Sequence, residues 1–212
     1  MRKLLALATL LGITAAALAD DLPTGTPNGL YAIFNTSKGV FVAKLYEKYT
    51  PIAVSSFVGL ATGAKAWKDP VTGGMVHRPM YDNIIFHRIL RDMMIQSGDP
   101  SGTGHDNCGF TIPDEFLIGL TFNKPGRLAV ANTGEPDSGA CQFFITTGPV
   151  SQWDGKYTIF GDVISGLPVV LEISKGHLIG DKPVTPERLI SVRIQRVGPP
   201  PPVKAPKVKN GK

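Results

Sequence analysis

Two cysteines and four histidines in 212 residues leave little material for metal chemistry. His77, His87, His105 and His177 are widely separated, with neither a helical nor a Cys-x-x-Cys spacing, so the usual zinc sites are excluded. Cys108 and Cys141 are too few for a disulfide scaffold, although an oxidising compartment would allow one bond between them. There is no Gly-x-Ser-x-Gly elbow, and Gly102, Gly104 and Gly109 are not followed by the Lys-Ser/Thr of a phosphate loop. Hydrolysis by a nucleophile therefore lacks its residues, and no cofactor is implied.

Long hydrophobic runs are scarce as well. Met1-Arg2-Lys3 precedes an apolar run from Leu4 to Leu18 that closes on Ala17-Leu18-Ala19. That pattern predicts a secretory signal peptide over 1–19, and the run falls short of the roughly 20 apolar residues that cross a bilayer. Export to the periplasm or beyond, with cleavage near Ala19 and no stable membrane insertion, is the expectation. At the other end, residues 199–212 open with four prolines and carry Lys204, Lys207, Lys209 and Lys212 without an acidic residue, which predicts a disordered tail. The formal charge of +5 falls by two when Arg2 and Lys3 are set aside and by four more with the tail lysines, leaving −1 for residues 20–198. A body without net positive charge argues against a nucleic-acid reader.

The remaining length fits one domain, expected over 29–198 after a linker at 20–28. Residues 30–35 and 40–45 flank the polar turn Thr36-Ser37-Lys38-Gly39 and read as a hairpin. Thr50-Pro51 places a cap residue before a first-turn proline, and Ala53, Phe57, Leu60 and Ala61 recur at helical spacing up to Gly63, predicting a helix over 51–62. Residues 64–79, rich in glycine, proline and charge, read as a surface loop. Short apolar runs at 84–90, 93–96, 127–132, 141–146 and 159–165, a second helix at 168–174 and an alternating strand at 190–195 complete the pattern. The fold class expected is mainly β, a closed eight-stranded antiparallel barrel capped by two α-helices.

Five blocks carry the functional signal: Phe86-His87-Arg88-Ile89-Leu90; Met94-x-Gln96-x-Gly98-Asp99; Ala131-Asn132; Gln142-Phe143-Phe144-Ile145; and Asp154-Gly155-Lys156-Tyr157-x-x-Phe160-Gly161. Together, in this order, they resemble the cyclophilin family of peptidyl-prolyl isomerases, from about residue 30 to 196. The resemblance implies an active surface on the outside of the barrel, with Arg88 as the catalytic residue. It implies a proline pocket lined by Phe86, Met93, Met94, Phe144 and a residue near Trp153. Gln96, Ala131, Asn132 and Gln142 would hold the peptide backbone, and His87 and Tyr157 would complete the rim. The implied partners are proline-containing unfolded or extended polypeptides, bound by a monomer.

Those residue types suit the reaction. Rotation about an X–Pro bond breaks no covalent bond and has only to overcome amide resonance, a barrier of about 20 kcal/mol. The twisted prolyl nitrogen gains a lone pair, so a fixed donor stabilises that state over either planar isomer. Arginine, permanently charged and unable to act as a base, is such a donor. A binding module with incidental catalysis is the alternative, which loss of exchange without loss of complementation in Arg88→Ala would reveal.

Several positions depart from the commoner pattern of the family. Met93 stands where many members have phenylalanine, exchanging a rigid ring for a flexible thioether. Gln152 occupies the place of a tryptophan that many eukaryotic members use to bind cyclosporin, with Trp153 beside it, and Tyr157 replaces a histidine, as in bacterial relatives. In the family the loops bearing Cys108 and Cys141 face each other across the pocket's edge, which leaves two states open: a disulfide, or two thiols with Cys141 buried. The missing tryptophan predicts weak cyclosporin binding, and a submicromolar dissociation constant by titration calorimetry would contradict it.

Overall fold

The computed structural model describes residues 22–201; the expected signal peptide and the tail beyond 201 lie outside the described residues. Nine strands, β1 (Gly29–Thr36), β2 (Gly39–Leu45), β3 (Ile84–Ile85), β4 (Arg88–Leu90), β5 (Met94–Ser97), β6 (Arg127–Val130), β7 (Phe143–Thr146), β8 (Ile159–Ser165) and β9 (Arg188–Val197), form one curled antiparallel sheet. Their order is β3-β9-β1-β2-β8-β6-β7-β5-β4. Two helices, α1 (Pro51–Thr62) and α2 (Leu167–Ile173), accompany it.

The expected closed, eight-stranded barrel is corrected by an open sheet of nine strands. The single strand expected over 84–90 is broken at Phe86-His87. Its first half pairs with β9 (Leu189 opposite Ile84) and its second with β5 (Ile89 opposite Ile95). The two halves become the ends of the ladder, joined by the chain, while Ser97 Oγ donates to the Ile85 carbonyl at 2.8 Å across the gap.

The apolar strands read as continuous runs because both faces are covered. On β1, Leu30, Ala32 and Phe34 enter the main core, whereas Tyr31 and Ile33 join Val42 in a second cluster under Leu22 and Val197. Tyr31 Oη donates to the Pro27 carbonyl at 2.7 Å. The expected linker is therefore, over its described part, an arm laid across the sheet. Phe57 of α1 is the hub of the main core: its ring meets those of Phe34, Tyr81, Phe143 and Phe160 at centroid separations of 5.9, 5.0, 5.6 and 5.1 Å. Edge-to-face, tilted and stacked pairs at such distances add to the burial of area.

The helix start differs in its cap. Thr50 makes no side-chain capping bond; its hydroxyl instead donates to the Tyr46 carbonyl at 3.4 Å. The first-turn amides of Ile52 and Ala53 donate to the carboxylate of Glu115, at 3.1 and 2.9 Å. A residue more than 60 positions away thus satisfies the orphan donors and places negative charge at the positive end of the helix. Within the expected 64–79 loop, Trp67–Lys68 pairs with Met75–Val76, and Trp67 is fully buried with its Nε1 donating to the Arg78 carbonyl at 2.9 Å.

Glu115→Ala should lower stability by about 1–2 kcal/mol, the cost of a lost N-cap, as read by urea unfolding; an unchanged midpoint would assign the cap elsewhere.

Candidate functional site

Strand register assembles the site. Arg88 on β4 lies opposite Gln96 on β5, Gln96 opposite Phe144 on β7, and Phe144 opposite Ala129 on β6. Directly opposed residues share a face, so these four form one row across four strands. The intervening residues, Ile89, Ile95, Ile145 and Leu128, all belong to the main core. The outward row joins a separate apolar cluster of Met94, Phe122, Ala129, Phe144, Val150 and Ile159, with Met93, Ala131, Trp153 and Tyr157 packed against it.

The ring of Phe144 stands edge-on to Trp153 and Tyr157, with centroids 5.3 and 5.2 Å apart, and Trp153 and Tyr157 are 5.6 Å from each other. Of the expected pocket, Met93, Met94, Phe144, Trp153 and Tyr157 are thus brought together. Phe86 is not among them: it is fully buried in the main core, on the other side of the sheet. Phe122, which carried no sequence signal, is also in the outer cluster, 5.8 Å from Phe144. Its amide donates to Asp154 Oδ1 at 2.7 Å and its carbonyl accepts from Val150 N at 2.8 Å, tying down the turn at Ser151–Trp153. Gln152 in that turn is exposed.

Beside the apolar cluster runs a chain of polar bonds. Arg88 Nη1 donates to Gln96 Oε1 at 3.3 Å, and Gln96 Nε2 to Gln142 Oε1 at 2.8 Å. Gln142 Nε2 donates in turn to the carbonyls of Asp106 and Gly104, at 2.9 and 3.1 Å. Gln96, Ala131, Asn132 and Gln142 share a groove of about 200 Å³ with the 104–107 segment. Asn132 turns its amide inward to the structure, Nδ2 donating to the Lys156 carbonyl at 2.9 Å.

The guanidinium is held at a second corner. Nε of Arg88 donates to Asp181 Oδ2 at 2.7 Å, and that bond holds the Asp181 carboxyl below the usual carboxylate range. Asp181 was not expected from the sequence; it sits in the hairpin that pairs Leu178–Ile179 with Lys182–Pro183.

His87 departs from its expected place on the rim. It is buried, and neither ring nitrogen has a hydrogen-bond partner. Burial pulls its pKa below the ordinary value, with the nearby Asp99 carboxylate and the Gln142 amide acting the other way. The imidazole lies under the glycine-rich loop, where a Cβ on Gly104 (φ +85°) would come within 3.3 Å of its Cδ2. Asp99 organises that loop: burial raises its pKa, but hydrogen bonds from Ser101, Gly104 and Asp106 outweigh it and hold the carboxyl low. Gly98 is equally constrained, since a Cβ there would meet Cys141 O at 2.5 Å and Gln142 Cα at 2.8 Å.

The structure closes the question left open by the two cysteines. Cys108 and Cys141 form a disulfide, with Cα atoms 6.2 Å apart. It fastens the glycine-rich loop to the residue preceding Gln142.

Comparisons with known proteins agree in one direction. Residues 31–197 match the family model described as "Cyclophilin type peptidyl-prolyl cis-trans isomerase/CLD". The chain is 40% identical over 166 residues to peptidyl-prolyl cis-trans isomerase A of Mycobacterium tuberculosis, covering 77% of this chain and 91% of that protein. It is 42% identical over 134 residues to isomerase B of Streptomyces anulatus, covering 63% of this chain and 76% of that protein. A crystal structure of a cyclophilin-type isomerase from Cryptosporidium parvum superposes with a TM-score of 0.68 at 26% identity, covering 79% of this chain and 98% of that one. A second structure of that protein, in the presence of the dipeptide Ala-Pro, gives 0.67.

The disulfide closes a separation of 33 residues, so replacing both cysteines by serine should cost about 3–4 kcal/mol by loop entropy, read by urea unfolding. Thiol titration of the unreduced, denatured protein should give none; two thiols would overturn the bond.

Proposed function

The chain belongs to the cyclophilin-type peptidyl-prolyl cis-trans isomerase family, and from that membership we propose that Arg88 accelerates rotation of X–Pro bonds by donating to the prolyl nitrogen of the twisted amide. The isomerase activity is that of the family. The observation that carries it is the placement of the guanidinium, held at Nε and Nη1, on the same sheet face as the apolar pocket of Met94, Phe144, Trp153 and Tyr157. The pyrrolidine ring occupies that pocket. Apolar walls exclude water from the neighbouring hydrogen bond, which strengthens it and favours the twisted state.

Gln96, Ala131, Asn132 and Gln142 line the adjoining groove and hold the backbone before the proline. Of the remaining residues expected at the site, Phe86 shapes the turn between β3 and β4 from within the core. His87, neutral and buried, supports the glycine-rich loop.

The substrates proposed are unfolded or extended chains, in which slow prolyl isomerisation limits folding. The protein acts as an exported monomer, residues 1–19 being its signal peptide. Support for export is the charged start, the short apolar run and the Ala17-Leu18-Ala19 close; a disulfide beside the site suits an oxidising compartment. The body, residues 20–198, with its formal charge of −1, has no general attraction for nucleic acid.

Catalysis of exchange in an Ala-Pro peptide should fall about 10²- to 10³-fold in Arg88→Ala, the usual cost of removing one preorganised donor. Thermal unfolding should shift only modestly, since the side chain is 43% exposed and water can take its place as the donor to Gln96 Oε1. Equal rates in variant and wild type would refute the mechanism.

A further inference from the structure

We propose that Asp181 is a positioning residue for the reaction, its carboxylate fixing the Arg88 guanidinium so that the remaining N–H groups face the prolyl amide. The inference rests on the assignment of Arg88 above. A long arginine side chain on an edge strand loses its usefulness as a donor if it samples many rotamers. Gln96 restrains one corner, at 3.3 Å; Asp181, at 2.7 Å, is the shorter and charged partner. With Nε and one N–H of Nη1 engaged, the second N–H of Nη1 and both of Nη2 remain for substrate.

The carboxylate is delivered by a braced frame. The carbonyl of Asp181 accepts from Ile89 N at 2.8 Å, so one residue both covers the free edge of β4 and grips the arginine next to Ile89. Arg91, three positions along the same segment, donates to the Gly176 carbonyl at 2.8 Å and the Ser174 carbonyl at 3.4 Å, and Val184 N donates to the His177 carbonyl at 2.9 Å. The hairpin is thus tied at both ends to the segment that carries Arg88. The ion pair itself is about half exposed, at 43% and 40%, and contributes little to stability. Its consequence is orientation.

The test measures catalysed exchange of an Ala-Pro peptide by wild type, Asp181→Ala, Asp181→Asn, Arg88→Ala and the Arg88→Ala/Asp181→Ala pair. Asp181→Ala should lower kcat and kcat/KM together by about tenfold with KM little changed, as for an interaction made in the transition state. Asp181→Asn, which still offers an oxygen to Nε, should recover most of the rate. In the Arg88→Ala background, Asp181→Ala should add no further loss. A full rate in Asp181→Ala, no recovery in Asp181→Asn, or an equal loss in the arginine-free background would overturn the proposal. A full rate in Arg88→Ala would instead remove the arginine mechanism itself, which separates the two failures.

Discussion

Everything at the site depends on one polar relay, Arg88 to Gln96 to Gln142 to the carbonyls of residues 104 and 106. Gln96 sits in a strand whose four residues are all buried, so its amide would be costly if left unpaired. It is paired at both ends, and that satisfaction fixes the register. A slip of one residue would drive Gln96 into the main core and expel Ile95 toward the pocket. The relay therefore specifies strand pairing as much as it orients the arginine. Its far end is the loop pinned by the Cys108–Cys141 bond, so the disulfide and the guanidinium belong to one mechanical unit.

A second constraint is that the sheet is apolar on both faces along β4 to β7. Alternate residues feed two different clusters, one organised by Phe57 inside the curl and one by Phe144 outside it. The outer cluster is small, and it remains partly open at Met93, Trp153 and Tyr157. An apolar cluster incompletely covered by its own chain is what a proline ring requires.

Local signals in the sequence were sufficient for the elements they govern. The hairpin of β1 and β2, the helix from Pro51 to Thr62, and the grouping of Met94, Gln96, Gln142 and Phe144 all follow from short-range pattern or from the five blocks. What the sequence does not reveal is set by distant partners. Glu115 caps a helix more than 60 residues earlier, Asp181 reaches an arginine 93 positions away, and Phe122 lies in a loop segment with no periodicity to mark it. The run from Ile84 to Leu90 reads as one strand because five of its seven residues are apolar and none is a glycine or proline. Only pairing with β9 on one side and β5 on the other reveals the break, and with it the burial of Phe86 and His87 away from the rim.

That break also bears on how the chain comes into being. β3 has β9 as its neighbour and β1 has it on one side, with β2 on the other, and β9 ends at Val197, so the pairings with β9 span 105 residues between Ile84 and Leu189 and 168 between Gly29 and Val197. Pairings of such high contact order form late and slowly. During synthesis the hairpin of β4 and β5 can form as soon as it emerges. The frame that holds its arginine, however, waits for Asp181 and for the last strand. The frame around Arg88 is therefore completed only by chain made after it, since Asp181 and the strand that closes the sheet against β1 and β3 both follow every residue of the polar relay.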